Sequence, residues 1–179
     1  MNPKRLAIAA EAPAFDLPGI DGKRYTLASF DTPVVVVMFT CNHCPYVVAY
    51  EDRLIALQRD FQNRGVGFVA INANETKNYP EDNFPNMVRR AQEKGYNFPY
   101  LRDETQAVAE AYGAHYTPEI FLLDAKRRLR YTGRIDDNWQ DGKKVKSRDL
   151  HDAIEAVLSG KTPGVAETHA TGCTIKWAG

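Results

Sequence analysis

The sequence has little cysteine, little tryptophan and no net charge: three cysteines, two tryptophans, and 23 Lys plus Arg against 23 Asp plus Glu in 179 residues. Balanced charge provides no global field to gather a polyanion, so neither nucleic acid nor an anionic membrane is expected as a partner. A long N-terminal apolar run is missing too. Leu6 to Ala10 is followed by Glu11, which is too brief for the core of a secretory signal and far too brief to span a bilayer. The expected location is therefore the cytoplasm. Three cysteines do not make a disulfide scaffold, and in a reducing compartment a close pair is more often catalytic or metal-binding than structural.

What is present points to one α/β domain over residues 1–179, since 44% hydrophobic and 11% aromatic content suffices for a real core. Residues 1–30 read as an N-terminal extension in which Pro18-Gly19 and Asp21-Gly22 punctuate a β-hairpin that covers a sheet edge. The run VVVVMF after Pro33 shows no alternation, as expected of a central strand covered on both faces. Val47, Val48, Leu54, Ile55, Leu57 and Phe61 then recur at mostly helical spacing until Gly65, and VGFVAINA follows as a second buried strand. Strand, helix and strand form a right-handed βαβ unit with a parallel pair.

Further along, a helix over Pro80 to Lys94 is expected with an interruption at Pro85, then a short apolar stretch and a helix over Glu104 to Tyr112. EIFLLD and LRYTGRI read as antiparallel strands across a basic loop, and Asp149 to Ser159 as a closing helix. Residues 161–179 form a tail with room to travel. From Gly160 to Cys173 the chain can span roughly 40 Å when extended, against a radius of gyration of about 16 Å for a domain of this length, so Cys173 can reach other cysteines.

The chemistry concentrates in Cys41-Asn42-His43-Cys44, where the first strand turns into the first helix. A sulfur at a helix N-terminus meets unpaired N–H groups and the helix dipole, both of which favour thiolate. This predicts Cys41 as a nucleophile of lowered pKa and Cys44, deeper in the helix, as the resolving thiol. His43 between the sulfurs is expected to stabilise the thiolate and make the couple more oxidising. Structural zinc would need two more ligands in a close pair, and the sequence supplies none, so neither metal nor organic cofactor is expected beyond a redox-active Cys41–Cys44 disulfide. Thr117-Pro118 opens a strand. A cis proline there, facing the sulfurs, would leave the Thr117 backbone free to pair with an extended peptide.

The order of hairpin, VVVVMF-T-CNHC-P, VGFVAINA, YTPEIFLLD and closing helix resembles a thioredoxin-like redoxin of the alkyl hydroperoxide reductase/thiol-specific antioxidant branch. The similarity is most specific at CNHCPY (Cys41–Tyr46), INANETKNYPEDNFPN (Ile71–Asn86), GRIDDNW (Gly133–Trp139) and GCTIKW (Gly172–Trp177). The resemblance implies a central mixed sheet flanked by helices, Cys41 as nucleophile, Cys44 as resolving thiol and Pro118 as the cis proline. It also suggests that Arg134, Asp136 and Asp137 shape the surroundings of the site.

Two departures stand out. Thr40 occupies the place of the thioredoxin tryptophan, and Val35 that of its buried acid, so another group or water must move the proton of Cys44, with Glu51, His43 and Glu119 as the candidates. The expected activity is dithiol–disulfide exchange with protein or small-molecule thiols and disulfides, fed by an unidentified electron donor. A thiol peroxidase is the alternative, although neither close cysteine fits Pro-x-x-x-Thr/Ser-x-x-Cys, and a non-catalytic binding module is the third. Cys173 is expected as a backup partner for Cys41.

Overall fold

The punctuation at Pro18-Gly19 and Asp21-Gly22 closes a hairpin of β1 (Asp16–Pro18) and β2 (Arg24–Thr26), with Gly22 at φ 81°, where a side chain would be strained. The elements β3 (Val34–Thr40), α1 (Pro45–Phe61), β4 (Val66–Asn72), α2 (Phe84–Lys94), β5 (Tyr100–Arg102) and α3 (Ala107–Tyr112) follow. The chain continues through β6 (Tyr116–Thr117), β7 (Glu119–Leu123), β8 (Leu129–Gly133), α4 (Asp149–Leu158) and β9 (Cys173–Thr174). The structure, a computed structural model, describes residues 3–179, so the first two residues of the expected extension lie outside it.

A five-stranded mixed sheet runs in the order β5-β4-β3-β7-β8, with β3 parallel to β4 and antiparallel to β7. Every residue of β3 is buried, and its side chains divide by parity. Val34, Val36 and Met38 pack with Tyr50, Leu54 and Phe61 of α1 and Leu150 and Ile154 of α4. Val35, Val37 and Phe39 pack on the other face with Tyr112 of α3, Phe121 of β7 and Ile175 of the tail. Both faces being covered is why VVVVMF shows no alternation. The hairpin caps the β5 edge through Ile20 N–H donating to Tyr100 O at 3.0 Å.

Three local expectations are corrected. Pro85 opens α2 rather than interrupting a longer helix, because Asn83 caps it by accepting the Asn86 N–H, and a proline in the first turn loses no hydrogen bond. The helix expected from Glu104 starts only at Ala107, since Gln106 stands at φ 65°, in the left-handed region. Val48 is exposed, and the buried stripe of α1 is Val47, Tyr50, Leu54, Leu57 and Phe61 instead. Among the described residues no helix is long and apolar enough to cross a membrane.

The tail does not travel. Thr168 N–H donates to Thr132 O, and β9 pairs antiparallel with β6 in the register Tyr116↔Thr174 and Thr117↔Cys173. Beyond it, the Lys176 N–H donates to Asn74 Oδ1, while the Glu75 N–H and the Gln106 side-chain amide donate to Lys176 O. The left-handed backbone of Gln106 thus serves a clamp that joins the tail to the end of β4.

Candidate active site

The end of β3 delivers Cys41 to the point where the chain turns into α1, and Cys44 is the residue that caps that helix, with Pro45 in its first turn. The register pairs Thr40 with Asn72 and Phe39 with Glu119, which brings the loops after β4 and before β7 beside the cysteines. The Thr117–Pro118 peptide is cis. Cys41 Sγ lies 3.5 Å from Thr117 Oγ1, and Cys44 Sγ lies 3.5 Å from Thr117 O. Cys44 Sγ also lies 2.7 Å from Cys173 Sγ, so the tail completes a cluster of three thiols.

A cavity of about 130 Å³ opens here, lined among others by Cys41, Cys44, Cys173, His43 and Lys176. Cys41 is 1% and Cys44 4% exposed, whereas Cys173 is only part-buried, so the sulfur facing solvent is that of the tail. Cys44 is not the deeper thiol of the pair. The strand paired on Thr117 covers both cysteines, and the Thr117 backbone expected to await a peptide is already occupied by Cys173.

The expected charge assignment is reversed as well. Hydrogen bonding to Cys44, burial and the nearby Asp82 carboxylate push the Cys41 thiol far up. Cys44 is lowered to about 4, most by its side-chain interaction with Cys41 and then, against the opposing effect of burial, by Cys173 and the Val47 N–H of the first helical turn. Burial and the bond to Cys44 raise Cys173 to about 11. Of the three sulfurs, the central one is shifted toward the thiolate.

A thiol titrates near 8.5 in an unfolded chain, so the folded reduced state binds fewer protons than the unfolded one down to the value of about 4. The thiolate contributes stability that is complete above the unfolded value and is lost as pH falls through the folded one. Reduced protein is expected to lose thermal stability steadily on acidification across that window, in parallel with its ultraviolet thiolate absorbance. A Cys44→Ser protein that shows the same thiolate titration would overturn the assignment.

His43 does not serve the sulfurs. Its Nε2 lies 3.3 Å from Glu81 Oε1 and its Nδ1 3.8 Å from Asp82 Oδ2, so both ring nitrogens face carboxylates. Thr40 also stands aside, lining with Val47, Glu51 and Tyr96 a separate small space under α1. Of the acids named as proton carriers, Glu51 is held by Arg90 and by the Tyr96 hydroxyl at 2.5 Å. Glu119 is held by Arg5 at 2.5 Å and by the His115 N–H at 2.7 Å.

The acid beside the cysteines is Asp82, which is fully buried and was not singled out from sequence. It accepts the Asn42 N–H at 2.8 Å and the Asn72 and Asn74 side-chain amides at 3.0 Å each. Tyr100 closes the network by donating to Asn42 Oδ1 at 2.7 Å. The signal was present in INANETKNYPEDNFPN, three amides followed by an acid, but its meaning depends on the folding of that loop over Asn42.

Arg134, Asp136 and Asp137 act at a distance. Asp136 accepts from the Tyr50 hydroxyl and from Arg53, Arg134 pairs with Asp149 at 2.8 Å, and Trp139 packs on Tyr46 with ring centroids 4.4 Å apart. Asp136 thus braces α1 and Arg134 braces α4, while Asp137 accepts the Lys146 N–H in the loop between β8 and α4. Among the described residues no group of three or more His, Cys, Asp or Glu side chains is arranged to hold a metal ion.

A mixed sheet with a CxxC at a strand-to-helix junction, opposite a cis proline, defines a redoxin of thioredoxin-like fold. The chain belongs to the AhpC/TSA family, whose model matches residues 8–132. A hypothetical protein of Sinorhizobium meliloti 1021 is 40% identical, with a TM-score of 0.92 and coverage of 98% of this chain and 97% of that one. A thiol-disulfide oxidoreductase ResA of Geobacillus thermodenitrificans is 27% identical over 128 residues, 70% of this chain and 68% of the relative. A thioredoxin-family thiol:disulfide interchange protein of Chlorobium tepidum shares the fold, with a TM-score of 0.67 at 22% identity over 85% of this chain and 98% of that one.

Proposed function

We propose that the Cys41/Cys44 couple is the working centre of this thiol–disulfide oxidoreductase, passing two electrons between its dithiol and an external disulfide. In the reducing direction a thiol of the site enters a mixed disulfide with half of the substrate, and thiol exchange displaces it and ends on the Cys41–Cys44 disulfide. The observation that carries the reading is the burial of both sulfurs at the head of α1, each within 3.5 Å of Thr117 beside the cis Thr117–Pro118 peptide. The proposed setting is the cytoplasm, and the proposed partners are thiols and disulfides together with an electron donor. The peroxidase reading is disfavoured, because the hydroxyl and proline that orient peroxide in Pro-x-x-x-Thr/Ser-x-x-Cys fall on Met38 and Val34.

The test is oxidation of fully reduced protein by 2-hydroxyethyl disulfide. The expected result is loss of two thiols per chain, faster than for the same chain unfolded in denaturant, with Cys41–Cys44 as the product disulfide in a peptide map. A rate equal to that of the unfolded chain would leave only a binding module with the fold.

A further inference from the structure

We propose that Cys173 is the thiol that meets the substrate, and that the site is a three-sulfur relay running Cys173 to Cys44 to Cys41 for low-molecular-weight disulfides. This deepens the oxidoreductase reading and rests on it. Three observations carry it. Cys173 is the only part-exposed sulfur of the cluster, while Cys41 and Cys44 lie beneath the tail. Its sulfur is 2.7 Å from Cys44 Sγ, roughly 0.7 Å longer than a covalent S–S bond. Its strand fills the pairing positions of Tyr116 and Thr117, so an extended peptide cannot add there while the tail is docked.

The tail is held on both sides of Cys173, by the Thr168 N–H bond to Thr132 O before it and by the Ile175 N–H bond to His115 O after it. Ile175 is itself buried in the core. What remains open is a cavity of about 130 Å³ lined by all three cysteines with His43 and Lys176, in which Cys173 is the least buried of the three, a space for a small disulfide and not for a polypeptide loop.

The chemistry balances without any further reagent. The Cys44 and Cys173 sulfurs, 2.7 Å apart, share one proton, and Cys173 attacks the substrate RS–SR as that proton shifts onto Cys44, forming Cys173–S–SR and expelling RS⁻, which takes the proton from Cys44. Cys44 then attacks the Cys173 sulfur, closing a Cys44–Cys173 disulfide and expelling the second RS⁻. That anion receives the Cys41 proton, and Cys41 attacks Cys44 to form Cys41–Cys44 and release Cys173 as thiolate. One disulfide has been reduced to two RSH, one dithiol has been oxidised, and the cluster keeps its single negative charge.

The experiment is trapping with 2-hydroxyethyl disulfide in the full-length chain, quenched by alkylation and mapped by mass spectrometry. In Cys44→Ser the mixed disulfide is expected on Cys173, and a mixed disulfide on Cys41 would overturn the relay while leaving the oxidoreductase reading intact. In Cys41→Ser the expected product is Cys44–Cys173. As a check independent of Cys44→Ser folding, Cys173→Ser should be oxidised on the order of ten-fold more slowly than the natural chain, because the exposed entry thiol is gone. An unchanged rate overturns the relay. If the natural chain itself reacts no faster than it does unfolded, the relay and the oxidoreductase reading fail together.

Discussion

Cys41→Ser is expected to lower disulfide turnover by at least ~10³-fold, a barrier increase of about 4 kcal/mol. A serine hydroxyl cannot form the Cys41–Cys44 bond, so the variant is expected to stop at the Cys44–Cys173 disulfide that Cys41 opens in the natural chain. The loss should not come from unfolding. Cys41 is 1% exposed and Thr117 Oγ1, 3.5 Å away, can hydrogen bond a hydroxyl as well as a thiol, so thermal stability should change little. Turnover with 2-hydroxyethyl disulfide and excess chemical reductant measures the effect. Retention of a tenth of the natural rate would move the couple onto Cys44 and Cys173 and remove Cys41 from the reaction.

Asp82→Leu is expected to have the largest effect on stability, about 3–5 kcal/mol, because it removes the acceptor of three buried donors. The Asn42 N–H and the side-chain amides of Asn72 and Asn74 would each be left without their partner, in a place that water does not reach. For a chain of this size the melting temperature should fall by roughly 6–20 °C. Asp82→Asn keeps one acceptor oxygen and the volume, and should recover part of that loss. It also removes a negative charge that pushes the Cys41 thiol up, so Cys41 should ionise more easily in this variant, seen as added thiolate absorbance at alkaline pH. Equal stability of the leucine variant and the natural chain would show that the carboxylate does not hold the loop.

Those two residues divide the molecule into what was legible in the chain and what was not. Cys41 and Cys44 stood out because chemistry, spacing and position at a strand-to-helix junction are all local properties. The same holds for β3, whose uninterrupted apolar run belongs to a strand covered on both faces, and for the antiparallel pair around the basic loop. Asp82 was hidden among the polar residues after β4, since an acid in a loop looks solvated until the loop is seen to bury it over Asn42. His43 misled for the complementary reason. Its place between the sulfurs is a fact of sequence, but the direction of its ring is decided by Glu81 and Asp82, far along the chain.

The α/β order of elements, the parallel βαβ unit and the pair of cysteines are all readable from the chain, because periodicity and helix-start chemistry act over a few residues. Tertiary contacts set which sulfur is shifted toward the thiolate, which one is least buried and what covers the groove beside Pro118. Those properties depend on burial and on hydrogen bonds between segments as far apart as Cys44 and Cys173, and no pattern of neighbouring residues records that a tail will pair with Thr117 rather than move freely.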